Sequence, residues 1–158
     1  MASAIPEASR AFDLPDLTAT ERLAGRVAAL ARAGDVIALA GPLGAGKTAF
    51  ARAFITALVG APVEVPSPTF TLLQTYATPG AAVWHFDLYR LERAEEAYEL
   101  GIEEAFVDGI SLIEWPERIA ALLPAERLTV NLTEAADAGA RHAELSGRGA
   151  WAARLAAL

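Results

Sequence analysis

An apolar run, Val36-Ile37-Ala38-Leu39-Ala40, gives way to Gly41-Pro42-Leu43-Gly44-Ala45 and then to Gly46-Lys47-Thr48-Ala49-Phe50. The pattern G-x-x-x-x-G-K-[ST], set between a predicted strand and a predicted helix, is the P-loop signature, and no other stretch constrains the chain as tightly. A chance match in a sequence this short is on the order of 1% or less. Small residues let successive backbone N–H groups turn inward around α- and β-phosphates, while the following helix aims its positive N-terminus at them. Lys47 can reach the β/γ oxygens, and the Thr48 hydroxyl can ligate Mg²⁺. Lys47 is also the chain's only lysine; all the other Lys/Arg positions are arginine. A compact ammonium suits the cradle where a planar fork would not. The expectation is a site for ATP or a related nucleoside triphosphate, contacted by Gly41, Pro42, Leu43, Gly44, Ala45, Gly46, Lys47, Thr48 and Ala49. A plain Gly-rich turn before a helix is the bland alternative.

The remaining composition narrows the class. A chain of 158 residues, 54% hydrophobic and 21% charged, predicts one globular domain, with residues 1–11 as a loose N-terminal arm. The net charge of −7 disfavours tight, direct binding to a phosphate backbone, so any RNA would be held indirectly, through a partner. The absence of cysteine removes thiolate chemistry and agrees with a cytoplasmic protein. The first residues lack the pattern of a signal peptide, and no stretch approaches the roughly 18 apolar residues of a membrane span.

Periodicity gives the element order. Ala11 to Leu14 reads as a short edge strand. A helix follows to about Arg32, with Asp16-Leu17-Thr18 offering the N-cap, Thr18 and Glu21 as a capping box, and Leu23, Val27 and Leu30 on its inner face. Asp35 to Ala40 is a buried strand, and Lys47 to Val59 a helix. The two prolines of Val63 to Phe70 make that segment a loop. Thr69–Tyr76 and Ala82–Tyr89 read as a β-hairpin, Leu91–Phe106 as an acidic helix interrupted at Gly101, and Ile110–Glu114 as an apolar strand. A short helix 116–123, strands 127–133 and 141–145, and a C-terminal helix complete the chain. The fold class is α/β, a P-loop NTPase-like three-layer sandwich with a mixed sheet, helices on both faces and a hairpin.

A P-loop needs a second acidic group near Mg²⁺, normally where a neighbouring apolar strand ends. Glu114 closes Ile110-Ser111-Leu112-Ile113 and is the candidate Walker-B-like metal ligand beside Thr48. Asp87 closes Val83-Trp84-His85-Phe86 and can reach the metal through water or orient the attacking water. Which of the two touches the metal stays open at this point. His85 shares a strand face with Asp87, but a hydrolytic triad lacks a nucleophile elbow and a zinc site lacks ligands, so His85 reads as a half-buried structural histidine. Among Ser67, Thr69 and Thr71, Thr69 is the preferred γ-phosphate sensor, with plain turn capping as the alternative. Glu92, Glu95, Glu96, Glu99, Glu103 and Glu104 form an acidic, solvated face.

Taken in order, Gly41 to Thr48, Ser67-Pro68-Thr69-Phe70, His85-Phe86-Asp87-Leu88-Tyr89-Arg90 and Glu114-Trp115-Pro116 resemble the bacterial TsaE family of P-loop ATPases, from about residue 18 to 133. The resemblance implies weak ATPase activity alone, and work with a TsaB–TsaD heterodimer in making threonylcarbamoyladenosine in tRNA. There TsaD transfers the threonylcarbamoyl group, and ATP hydrolysis resets the complex. It further implies phosphate and Mg²⁺ contacts at Lys47 and Thr48, Mg²⁺ at Glu114, a need for Asp87 in hydrolysis, and Trp115 close to the nucleotide. The rival class is a stand-alone small-molecule kinase, against which stands the lack of an Arg-rich, Gly-hinged lid. A GTPase is disfavoured because no lysine is left for an N-K-x-D signature.

Overall fold

The computed structural model describes residues 4–158. Seven strands form one mixed sheet in the order β1-β7-β6-β2-β5-β4-β3. These are β1 Glu7–Leu14, β2 Val36–Ala40, β3 Leu73–Tyr76, β4 Val83–Asp87, β5 Ile110–Glu114, β6 Leu128–Glu134 and β7 Arg141–Arg148. The centre, β6-β2-β5-β4, is parallel. Strands β2 and β5 are buried along almost their whole length because both faces are covered, whereas β6 alternates, burying Leu128, Val130 and Leu132. The pairings β1–β7, β6–β7 and β3–β4 are antiparallel.

Helices α1 Leu17–Leu30 and α2 Lys47–Val59 pack on each other and on one face of the sheet. There Leu23, Val27, Phe50, Phe54 and Ile55 meet Ile37, Leu39, Leu112 and Val130. The C-terminal α5, Ala150–Arg154, adds Trp151 to the same cluster. On the other face, α3 Glu96–Glu99 and α4 Ile102–Asp108 place Ala97, Ile102 and Ala105 against Phe86 and Ile113. This is the P-loop NTPase-like arrangement expected.

Several local expectations need correcting. Residues 7–10 are not part of a loose arm; they are the first half of β1, while residues 1–3 lie outside the described chain. Ala8, Arg10, Phe12 and Leu14 turn inward in strict alternation, and the Arg10 guanidinium donates to the carbonyls of Leu155 and Leu158, tying the edge strand to the C-terminus. The cap of α1 is Asp16, whose Oδ1 accepts from the Ala19 N–H at 2.8 Å, rather than Thr18. The first arm of the hairpin begins only at Leu73, because Pro68 to Leu72 closes a turn with Leu72 in the left-handed region (φ 65°). The acidic helix 91–106 is two short helices separated by Gly101 at φ 81°, and 116–123 contains only the 3₁₀ turn Pro116–Ile119. None of the helices is long and apolar enough to cross a membrane, among the described residues.

Candidate functional site

The parallel strands β2, β5 and β4 end at one edge of the sheet, where open α/β folds collect their ligand sites. After β2 the chain turns through Gly41 to Gly46 into α2. Gly41, at φ 135°, is required by sterics. A Cβ there would sit 2.2 Å from the Leu132 carbonyl oxygen of β6, which no side chain can tolerate. Gly46 occupies the N-cap of α2 at φ 101°, where an L side chain would be strained. The loop therefore presses against β6 on one side and opens a cleft of about 420 Å³ on the other.

That cleft is lined by Leu43, Gly44, Gly46, Lys47, Thr48, Ala49, Ser67, Thr69, Asp87, Tyr89, Glu114 and Trp115. Lys47, Thr48, Thr69, Asp87, Glu114 and Trp115 all line it, while Gly41, Pro42 and Ala45 shape the loop without lining the cleft. Thr71 is not among the lining residues, and Ser67 and Tyr89 join them.

Register brings the two acids together. Asp87 of β4 and Glu114 of β5 are paired positions in the parallel ladder, so their side chains stand side by side on the α2 face. Both are buried, at 5% and 2% exposure. Their partners differ. Glu114 Oε1 accepts from the Thr48 hydroxyl at 3.3 Å, while Oε2 accepts from His85 Nε2 at 2.7 Å. Asp87 Oδ2 accepts from the Thr69 hydroxyl at 3.0 Å, and Oδ1 from the Tyr89 N–H at 3.1 Å. Thr69 in turn meets the Ser67 hydroxyl at 2.8 Å. Glu114 thus belongs with the P-loop helix and Asp87 with the Pro-rich loop.

His85 is fully buried rather than half-buried, with no partner for Nδ1 among the described residues. A carboxylate can only accept, so the hydrogen of the short contact sits on Nε2. The imidazole fixes which Glu114 oxygen turns toward Thr48. Its shared strand face with Asp87 was visible in sequence; its bond to Glu114, 29 positions away, was not.

Lys47 is 5% exposed. Its Nζ donates to the Gly41 carbonyl at 2.5 Å and lies 3.4 Å from the centroid of the Trp115 ring. Burial pulls its pKa below the usual lysine value, against the opposing pull of Glu114, Glu117 and Asp87. Trp115 is held in place by its own backbone, left-handed at φ 59°, and by the Tyr89 ring 4.8 Å away. A non-glycine residue there stores on the order of 1–3 kcal/mol of strain, and such residues gather at functional sites. The arrangement could hold a polyphosphate on the loop amides and Lys47, and a hard cation between Thr48 and Glu114.

Comparison with known proteins bears on the chain as a whole. A family model described as "Threonylcarbamoyl adenosine biosynthesis protein TsaE" matches residues 14–143. The chain is 47% identical over 113 residues to the tRNA threonylcarbamoyladenosine biosynthesis protein TsaE of Rickettsia bellii, covering 72% of this chain and 78% of that one. It is 41% identical over 119 residues to the Bacillus subtilis protein of the same description, covering 75% and 73%. The crystal structure of Bacillus subtilis YdiB superimposes with a TM-score of 0.80 at 30% identity, covering 99% of this chain and 95% of that one.

Proposed function

The chain belongs to the TsaE family, and on that footing we propose that it is an ATP-binding and ATP-hydrolysing subunit serving threonylcarbamoyladenosine synthesis in tRNA, in concert with a TsaB–TsaD pair. The observation that carries this reading is the convergence at one sheet edge of Lys47 and Thr48, at the start of α2, with Asp87 and Glu114, paired in register.

The donor set fits Mg²⁺. Two carboxylates against one ammonium leave the cleft formally short of positive charge, and a hydroxyl with one carboxylate oxygen is a hard, all-oxygen pair. Among the described residues no three His, Asp or Glu side chains cluster as a metal site, so most ligands would be phosphate oxygens and water. When bound, Mg²⁺ would neutralise charge on the phosphates. Thr48 and Glu114 would hold it, and His85 would keep Glu114 turned toward Thr48. The Gly46, Lys47 and Thr48 amides bind phosphate oxygens with the dipole of α2 behind them. Lys47 supplies the positive charge. Asp87, oriented by Thr69 and the Tyr89 amide, would accept a hydrogen bond from water and aim the water's lone pair at a terminal phosphate.

The test measures MgATP binding and turnover alone and with TsaB–TsaD and tRNA. Stimulated hydrolysis and restored tRNA modification are expected. Phosphate transfer to a metabolite, with no response to the partners, would replace this reading by the kinase one.

A further inference from the structure

Arg141 opens β7 at the end of an inward-facing row that continues as Ala143 and Leu145. An arginine on that face needs acceptors, and it finds them in the P-loop, 96 and 97 positions back in sequence. Its Nε donates to the Ala45 carbonyl at 3.0 Å and its Nη2 to the Gly44 carbonyl at 3.2 Å. A third bond, from Nη1 to the Ala140 carbonyl at 2.9 Å, braces the guanidinium on its own turn. Arg141 is not among the residues that line the cleft, so it grips the loop from behind.

The consequence follows from peptide geometry. In a planar trans peptide the C=O and the next N–H point in opposite directions. Holding the Ala45 carbonyl toward Arg141 therefore turns the Gly46 N–H away from it, to the side of the cleft that Gly46 lines. The neighbouring peptide is held at both ends: its Gly44 carbonyl by Arg141, and its Ala45 N–H by the Pro42 carbonyl at 3.2 Å. Glycine at positions 41, 44 and 46, all at positive φ, leaves this loop free to flip its peptides unless something outside it prevents that. The Arg141 Nε lies 3.5 Å from where a Gly46 Cβ would be, an ordinary van der Waals contact.

We propose that Arg141 is a positioning residue that locks the P-loop from the C-terminal hairpin with its Gly46 amide turned to the cleft, before any phosphate arrives. This rests on the nucleotide reading above. A preorganised cradle binds all phosphate chains better, in ground state and transition state alike, so the clamp belongs to affinity and not to the chemical step.

The experiment compares wild type, Arg141→Met and Arg141→Lys with His142→Ala, whose side chain sits on the neighbouring surface position against Asp13. Titrations use MgADP, inorganic pyrophosphate and adenosine, with thermal unfolding alongside. Losing two charge-assisted bonds should weaken MgADP and pyrophosphate by the same factor, roughly tenfold or more, while turnover at saturating ATP stays within a few-fold. Arg141→Lys, one point charge for two carbonyls, should fall between, and it carries the test if Arg141→Met does not fold. His142→Ala should bind as wild type does. Equal MgADP affinity in wild type and either Arg141 variant overturns the clamp alone. A wild-type chain that binds neither MgADP nor pyrophosphate overturns the nucleotide reading, and the clamp with it.

Discussion

Replacing Lys47 by methionine should stabilise the ligand-free protein while abolishing nucleotide binding. The bond to the Gly41 carbonyl and the contact with the Trp115 ring together return about 2–4 kcal/mol. The penalty for withdrawing an ammonium from water is several kcal/mol. Burial is the larger effect, which is why the Lys47 pKa lies below 10.5 in spite of three carboxylates pulling it up. Methionine is nearly as long and carries no charge; it removes the desolvation cost but also the counter-charge of Asp87 and Glu114, so Lys47→Met should gain only about 1–2 kcal/mol at neutral pH. In a chain of this length that is roughly 2–8 °C in Tm. The pH dependence follows from linkage. Because the folded-state pKa lies below the unfolded one, the unfolded chain holds the extra proton between the two values, and wild-type stability rises with pH across that window. The advantage of the variant is therefore complete below the lowered pKa and closes as pH approaches 10.5. Urea unfolding of both proteins, from neutrality upward, reads the gap directly. A variant less stable than wild type at neutral pH, or a gap that ignores pH, would refute the claim that burial outweighs the partners of Lys47.

Asp87→Ala should leave the affinity for a non-hydrolysable ATP analogue within a few-fold but cut single-turnover hydrolysis by roughly 10²-fold or more, the usual scale for a lost water-positioning group; lost binding with intact chemistry would exchange the roles of Asp87 and Glu114. Glu114→Gln should shift the Mg²⁺ requirement for ATP binding upward, and an unchanged Mg²⁺ titration would remove Glu114 as the metal ligand. Gly41→Ala must move the loop off the Leu132 carbonyl, so it should abolish MgADP binding and lower Tm by several degrees; wild-type affinity in that variant would mean the loop does not need its seat on β6.

What could be read from the sequence was whatever chemistry imposes over a short spacing. Gly41 to Thr48 is one such unit, and the boundaries of α2 and β5 followed from Gly60 and from the apolar run ending at Glu114. That Asp87 and Glu114 would each be near the P-loop was legible because each terminates an apolar strand. That they stand directly side by side depends on β4 and β5 being neighbours in matched register, which is a property of the whole sheet. Residues 7–10 were misread because Arg10 breaks the apolar alternation; its acceptors are backbone carbonyls at the far end of the chain, which carry no sequence signal. Arg141 escaped for the same reason, since its partners in the P-loop are carbonyls and not side chains.

The placement of buried polarity explains why the site could be inferred without its long-range contacts. Among the described residues the buried polar or charged side chains are Thr20, Lys47, His85, Asp87, Ser111 and Glu114, and four of these six belong to one cluster at the sheet edge. A fold selected for stability alone would not concentrate two acids and an ammonium there, because each ion loses hydration that its neighbours only partly replace. The apolar faces of β2, β4 and β5 supply enough packing to hold that arrangement in place, and the same strands set the register that aligns it. The cost is recovered only when something binds that uses all the charges at once. On the proposed reading a polyphosphate with a divalent cation would do so: its oxygens would meet the ammonium and the loop amides, and the cation the carboxylate. A neutral ligand would leave Asp87 and Glu114 facing each other across the ladder, which is why the charge pattern points to a metal–nucleotide more strongly than the shape of the cleft does.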